Sequence, residues 1–186
     1  YTAKVSKTGL VTPKAQYVTY VDKNGNDVKS QWEYMFGETL ISVQDGNSTV
    51  YYKFILKDYA EYYAEQKMDT FLKENITAEM SDYKKVETIA RWLANNFNYS
   101  QYHSGYTGLM LDGGGDCWAN TSAVNYMCEK LGLTVYARYA ANDPGAGSGH
   151  RNSVVIIDGE RYLVDCGYTG NAPRHYELSK MDYDYS

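Results

Sequence analysis

The stretch Gly113-Gly114-Gly115-Asp116-Cys117-Trp118-Ala119-Asn120 decides how this chain is read. Three glycines run into an aspartate and a cysteine. A helix-forming segment then continues to about Lys130, with Gly132 as its stop. Cys117 therefore opens a predicted helix. A helix N-terminus carries unpaired N–H groups and partial positive charge. Both favour the thiolate, the reactive form of cysteine. The same N–H groups suit the developing oxyanion of an acyl transfer. The bland reading of such a cysteine is a small buried hydrophobe after a glycine turn.

A thiolate needs a base, and the chain has 3 histidines. His103 and His175 lie in weakly patterned segments and read as surface residues. His150 ends the Gly-rich run from Asn142 to Gly149 and precedes a strong strand signal, Ser153 to Ile157. Asp158-Gly159 is a two-residue hairpin turn, and Arg161 to Asp165 is the return strand. His150 and Asp165 lie at nearly equal distances from that turn, so the hairpin sets a carboxylate near the imidazole. An acceptor of this kind orients a catalytic histidine. Taken singly, His150 is an ordinary loop histidine and Asp165 a turn-starting aspartate before Gly167.

Outward from this centre, Asp82 to Asn96 predicts a helix. Val86, Ile89, Ala90, Leu93 and Phe97 keep the i, i+3, i+4, i+7 spacing, and Ser81 or Asp82 caps the start. From Asp58 to Lys73 a weaker helical face carries Tyr59, Tyr62, Tyr63, Gln66, Met68 and Phe71. Tyr99 to Asp116 reads as a glycine-punctuated loop, and Thr134 to Ala141 as a strand. Residues 1–57 read as strands and turns. Gln16 to Val21 and Trp32 to Phe36 flank a turn with Asn24-Gly25, and Thr39 to Val43 and Thr49 to Phe54 flank another with Asp45-Gly46. We therefore expect two regions, a β-rich N-terminal extension over 1–57 and a catalytic domain over 58–186. Strands followed by helices followed by strands predict an α+β fold with an antiparallel sheet.

Taken together these segments resemble the transglutaminase-like superfamily, whose core is papain-like. Gly115-Asp116-Cys117-Trp118-Ala119 with Leu131-Gly132-Leu133 is similar to the family's nucleophile helix. Gly149-His150, Ile157-Asp158-Gly159 and Tyr162-Leu163-Val164-Asp165 are similar to its His-and-Asp hairpin. Ile89 to Leu93 with Phe97-Asn98-Tyr99 is similar to its lead-in segment. The likeness covers roughly residues 82–168. It implies a nucleophile helix packed on an antiparallel sheet, and chemistry at a carboxamide or peptide carbonyl through a thioester. Cys117 is then the nucleophile, His150 the base and later the acid, and Asp165 the orienting residue. The family draws a second oxyanion donor from upstream of the nucleophile, where Gln101, Tyr102 and Tyr106 are candidates. Trp118 borders the cleft or packs into the core. The family's tryptophan two residues beyond the histidine is here Asn152.

The resemblance implies a protein or peptide substrate, a cell-wall peptide among the candidates. Hydrolysis by a peptidase or amidase leads our reading. Protein-glutamine cross-linking is an alternative that the motifs do not separate from it, because the outcome turns on whether water or an amine resolves the thioester. A non-catalytic binding module on the same fold is the rival from another class, and such modules usually lose part of the triad.

Composition narrows the field. A net charge of −5 and an acidic balance argue against nucleic acid, which demands a dense basic face. No run of ~20 apolar residues offers a membrane span. No cofactor is expected, and no cysteine pair has CxxC spacing for zinc. Asp22, Asn24, Asn26 and Glu33 match part of a calcium-loop template, but Asp27 stands at its glycine position and the flanks are strand-like, so a hairpin turn is expected. Cys128 lies on the core-facing side of the Cys117 helix and reads as packing. A Cys128–Cys166 disulfide is open in an oxidising compartment. The opening at Tyr1 and the 21 tyrosines point towards a processed, secreted or cell-surface protein, with the cytoplasm left open.

Overall fold

The computed structural model describes residues 3–21, 27–34, 36–166 and 176–182. Asp22, Asn24 and Asn26 of the calcium-loop template, and His175, lie outside the described residues. The chain divides into two compact units, Tyr1–Tyr59 and Ala60–Ser186.

The first unit is built of antiparallel two-stranded ribbons: β1 (Ala3–Val5) with β2 (Val11–Pro13), β3 (Ala15–Val21) with β4 (Asp27–Tyr34), and β5 (Gly37–Asp45) with β6 (Ser48–Leu56). The return strand expected over Trp32 to Phe36 instead begins at Asp27. At the second hairpin Gly46 has φ +57, a left-handed conformation that glycine adopts without a Cβ penalty.

The second unit holds α1 (Tyr59–Asn75), α2 (Asp82–Asn96), β7 (Asn98–Tyr99), α3 (Tyr106–Asp112), β8 (Gly114–Gly115), α4 (Cys117–Lys130), β9 (Val135–Arg138), β10 (Asn152–Ile157), β11 (Glu160–Asp165) and β12 (Glu177–Lys180). Strands β12-β11-β10-β9 form an antiparallel sheet in that order, and the molecule is α+β. The turn between β10 and β11 has positive φ at both Asp158 (+53) and Gly159 (+80), as a type I′ hairpin requires.

Helix α4 packs against β9, β10 and β11 on one side and against α2 and α3 on others. Its buried residues, Cys117, Ala119, Asn120, Thr121, Ala123, Val124, Met127 and Cys128, cover most of its circumference. Such a helix belongs to a core rather than a surface. Around it lie Met68, Ile89, Leu93, Leu109, Val155 and Val164, all essentially sealed from solvent. Each large side chain buried this way contributes roughly 1.5–3 kcal/mol.

Two sequence expectations are corrected here. In α1 the buried stripe is Ala64, Glu65, Met68 and Leu72, while Tyr59, Tyr62 and Tyr63 are exposed. The loop expected between Tyr99 and Asp116 contains α3. The Tyr106 hydroxyl donates to Glu61 Oε1 (3.2 Å) and Glu65 Oε1 (3.0 Å), anchoring α3 to α1. Leu109 and Met110 plug α3 into the core. By contrast α2 spans the expected residues, with the Ser81 hydroxyl accepting from the Lys84 N–H at 3.3 Å. Among the described residues, no helix is long and apolar enough to cross a membrane.

Candidate active site

The site forms where the N-terminus of α4 meets β10 and β11. Asp116 is the N-cap of α4: its Oδ1 accepts from the Ala119 N–H at 3.0 Å, as a capping aspartate does. Its Oδ2 accepts from Ser104 Oγ at 2.6 Å, and its own N–H donates to the His103 carbonyl at 2.9 Å. Cys117 follows as the first helical residue, 7% exposed. The Thr121 hydroxyl donates to its carbonyl oxygen at 2.7 Å.

The lead-in is held in place by backbone. Strands β7 and β8 pair in parallel, the Asn98 N–H donating to Gly113 O and the Ser100 N–H to Gly115 O at 2.8 and 3.0 Å. The approach is close, since a Cβ on Gly115 would lie 2.5 Å from the Ala119 Cβ. Only glycine lets β8 run so near the helix it precedes.

Just before β10, Nε2 of His150 hydrogen-bonds Asp165 Oδ2 at 2.5 Å. That bond is the first cause of a raised His150 pKa. Burial and the positive charge of Arg138 act against it, while the charge of Asp165 adds to it. An acceptor on Nε2 holds the ring proton there, so Nδ1 is the basic nitrogen of the neutral ring. Cys117, Asp165, Arg151 and Asn152 line one small crevice together with Thr121 and Val164.

The register explains how the carboxylate is held. Ser153 pairs with Val164, and one further step sets Asn152 opposite Asp165. On its other side Asn152 pairs with Arg138 of β9. The near-symmetry that sequence assigned to His150 and Asp165 therefore belongs to Asn152, and His150 reaches Asp165 from just before the strand. Asn152 Nδ2 donates to Asp165 Oδ2 at 3.3 Å, and Arg138 Nη1 donates to Asn152 Oδ1 at 3.4 Å. Arg138 Nε donates to Asp143 Oδ2 at 2.6 Å, and both partners of this ion pair are buried. A row of polar groups thus runs from a buried ion pair to the imidazole, and sequence reasoning missed both Arg138 and Asp143.

The remaining candidates are placed as follows. Gln101 and Tyr102 form a turn beside β7, and Tyr102 is 91% exposed. The Tyr106 hydroxyl is engaged by Glu61 and Glu65. Trp118 is 48% exposed rather than packed in the core, and the Arg151 guanidinium lies over its ring. His103, expected at the surface, pairs with Asp112 at 2.9 Å, and its ring covers Gly108. Tyr99 was read in sequence only as part of the lead-in segment, with no role at the site. Its phenol pKa is raised by burial and then by negative charge on Cys117 and Asp116, which places it within electrostatic reach of the thiol.

Cys128 and Cys166 are free buried thiols, so the disulfide left open above is not formed. Burial pushes the Cys128 pKa up to about 12 and raises that of Cys166 well above the ordinary thiol range.

No family model matches the chain, and no curated protein matches it. Among solved structures, it is similar to a transglutaminase (a "TGase") at 15% identity and TM-score 0.41, over 73% of this chain and 46% of that one. It is also similar to a "Putative Cysteine Protease from Cytophaga hutchinsonii" at 15% identity and TM-score 0.45, over 66% of this chain and 53% of that one. The chain spans about half the length of these solved chains.

Proposed function

We propose that this chain hydrolyses an amide of a protein or peptide through Cys117, His150 and Asp165. One observation carries the reading: the carboxylate that holds Nε2 of His150 lines the same crevice as Cys117, the first residue of α4. His150 Nδ1 takes the thiol proton, and the thiolate adds to the carbonyl carbon. The backbone N–H of Cys117 faces the resulting oxyanion. As the intermediate collapses, the C–N bond breaks, and the imidazolium gives its proton to the departing amine. Water then adds to the thioester with His150 as base, releasing the carboxylic acid and restoring the thiol.

Hydrolysis is preferred over cross-linking because the flank that carries the base is open to water, while Cys117 itself is buried. The His150 side chain is 33% exposed and Trp118 48%. A cross-linking enzyme must keep water from its thioester, which favours a closed site.

The test is the rate of iodoacetamide alkylation of each cysteine against pH, by mass spectrometry, in the native protein and in His150→Ala. Rapid labelling of Cys117 below neutral pH, lost in the variant, supports the pair. Labelling of Cys117 as an ordinary thiol with a pKa near ~8.5 in both proteins overturns it.

A further inference from the structure

Arg151 follows the proposed base directly and lines the Cys117 crevice. Its guanidinium lies over the ring of Trp118, the residue after the nucleophile, with its Cζ 4.3 Å from the Tyr139 ring centroid. These cation–π contacts hold the guanidinium carbon against both rings. A guanidinium carries five N–H donors, and these ring contacts engage none of them in a hydrogen bond. Among the described residues no carboxylate pairs with Arg151. Other charged groups nearby are already paired: Arg138 with Asp143, and Asp165 with His150. A planar cation held at the mouth of a thiol site suits bidentate recognition of a carboxylate.

We propose that Arg151 is an anion subsite that selects substrates carrying a carboxylate beside the amide to be cleaved. The carboxylate is either an acidic side chain or a chain end. This inference rests on Cys117 being the nucleophile. Trp118 and Tyr139 act as positioning residues for the guanidinium, and Arg151 sets specificity.

Iodoacetate and iodoacetamide have nearly the same size and attack the same thiolate, but only iodoacetate is an anion. Their rate ratio at Cys117 is therefore independent of the thiolate fraction. We expect the ratio in the native protein to exceed that of the same cysteine in the urea-unfolded chain by at least about fivefold at low salt. In Arg151→Gln it should fall at least about threefold towards the unfolded value, the His150 imidazolium keeping the rest, and in Arg151→Lys it should fall part-way, since the charge stays but the fork is lost. N-acetylglutamate α-amide and N-acetylglycine, added as competitors of iodoacetate, separate the two carboxylate sources by which protects at lower concentration. A native ratio equal to the unfolded one, or a ratio unchanged in Arg151→Gln, overturns the subsite while leaving the nucleophile intact. Cys117 inert to both reagents removes the nucleophile, and the subsite with it.

Discussion

Asn152 stands between two charges, accepting from buried Arg138 at 3.4 Å and donating to the Asp165 carboxylate at 3.3 Å. Its amide links the ion pair behind the sheet to the group that holds His150. Asn152→Leu leaves Arg138 and Asp165 each short of a partner. A buried polar group left unsatisfied costs about 1–3 kcal/mol, so urea unfolding should report a loss of that size. Cys117 alkylation at neutral pH should slow as well, because the carboxylate loses its lateral restraint. Native-like alkylation in a destabilised Asn152→Leu would confine Asn152 to a structural role.

The ion pair behind it makes a sharper prediction. Arg138 and Asp143 are 5% and 2% exposed. Removing one partner of such a pair typically costs about 3–5 kcal/mol, because the other stays buried and uncompensated. Arg138→Met should show this loss, and Arg138→Met with Asp143→Leu should recover a large part of it. The charge of Arg138 also opposes protonation of His150. The His150 ring should therefore titrate at higher pH in the double variant, which NMR can follow. An unchanged or lowered ring pKa would mean that Arg138 does not act on the imidazole.

The pH dependence of stability follows from the same histidine. The His150 pKa is raised in the folded protein, first by its bond to Asp165. Folding thus favours the protonated ring. That stabilisation is complete below the unfolded value of ~6.5 and is lost as pH rises through the folded pKa. The stability of the native protein relative to His150→Gln should fall across that window. A relative stability that rises with pH there would contradict the bond as drawn.

Much of this arrangement could be read before any coordinates. Helix α2 announced itself by apolar period and Ser81 cap, and the β10–β11 hairpin by Asp158-Gly159 between two apolar runs. These signals are local, so the sequence carries them whole. Helix α3 was hidden because it is seven residues long with Gly108 inside it and Gly105 and Gly113 at its ends. Its stability is tertiary, from Tyr106 on Glu61 and Glu65 and from the His103 ring over Gly108. The face of α1 was misassigned because its tyrosines outweigh Ala64 in hydrophobic bulk, yet Ala64 is the residue that fits against the core. Asn152 was visible only as a departure from a family pattern. Its purpose depends on Arg138, fourteen positions away on another strand, which no local signal reveals.

Thiol chemistry should discriminate among the three cysteines. Cys128 and Cys166 are buried, with pKa values raised by desolvation, to about 12 for Cys128. At pH 8 a thiol of that pKa is thiolate in only about one part in ten thousand. A disulfide-exchange reagent should label one thiol quickly in the native protein and three after unfolding in urea. Fast native labelling of Cys166 would show that its burial does not persist in solution.

Gly115 offers a test of how closely the lead-in strand controls the nucleophile. An added Cβ would meet the Ala119 Cβ at 2.5 Å and the His103 carbonyl oxygen at 3.3 Å. Ala119 cannot easily yield, because its N–H is held by the Asp116 cap. Either β8 must leave β7, breaking the Ser100 N–H to Gly115 O bond, or the first turn of α4 must tilt. Overpacking of this kind costs typically about 1–3 kcal/mol. Displacement of a reacting group by roughly 1 Å can cost about a hundredfold in rate. Gly115→Ala should therefore be modestly destabilised, with Cys117 alkylation slowed at least about tenfold. Gly105→Ala, where a Cβ meets nothing within 4 Å, is the control: it should leave Cys117 alkylation unchanged and cost only the small penalty of an alanine at the α3 N-cap. Full reactivity in a folded Gly115→Ala would mean that the position of Cys117 is set by α4 and the sheet alone, without the β7–β8 clamp.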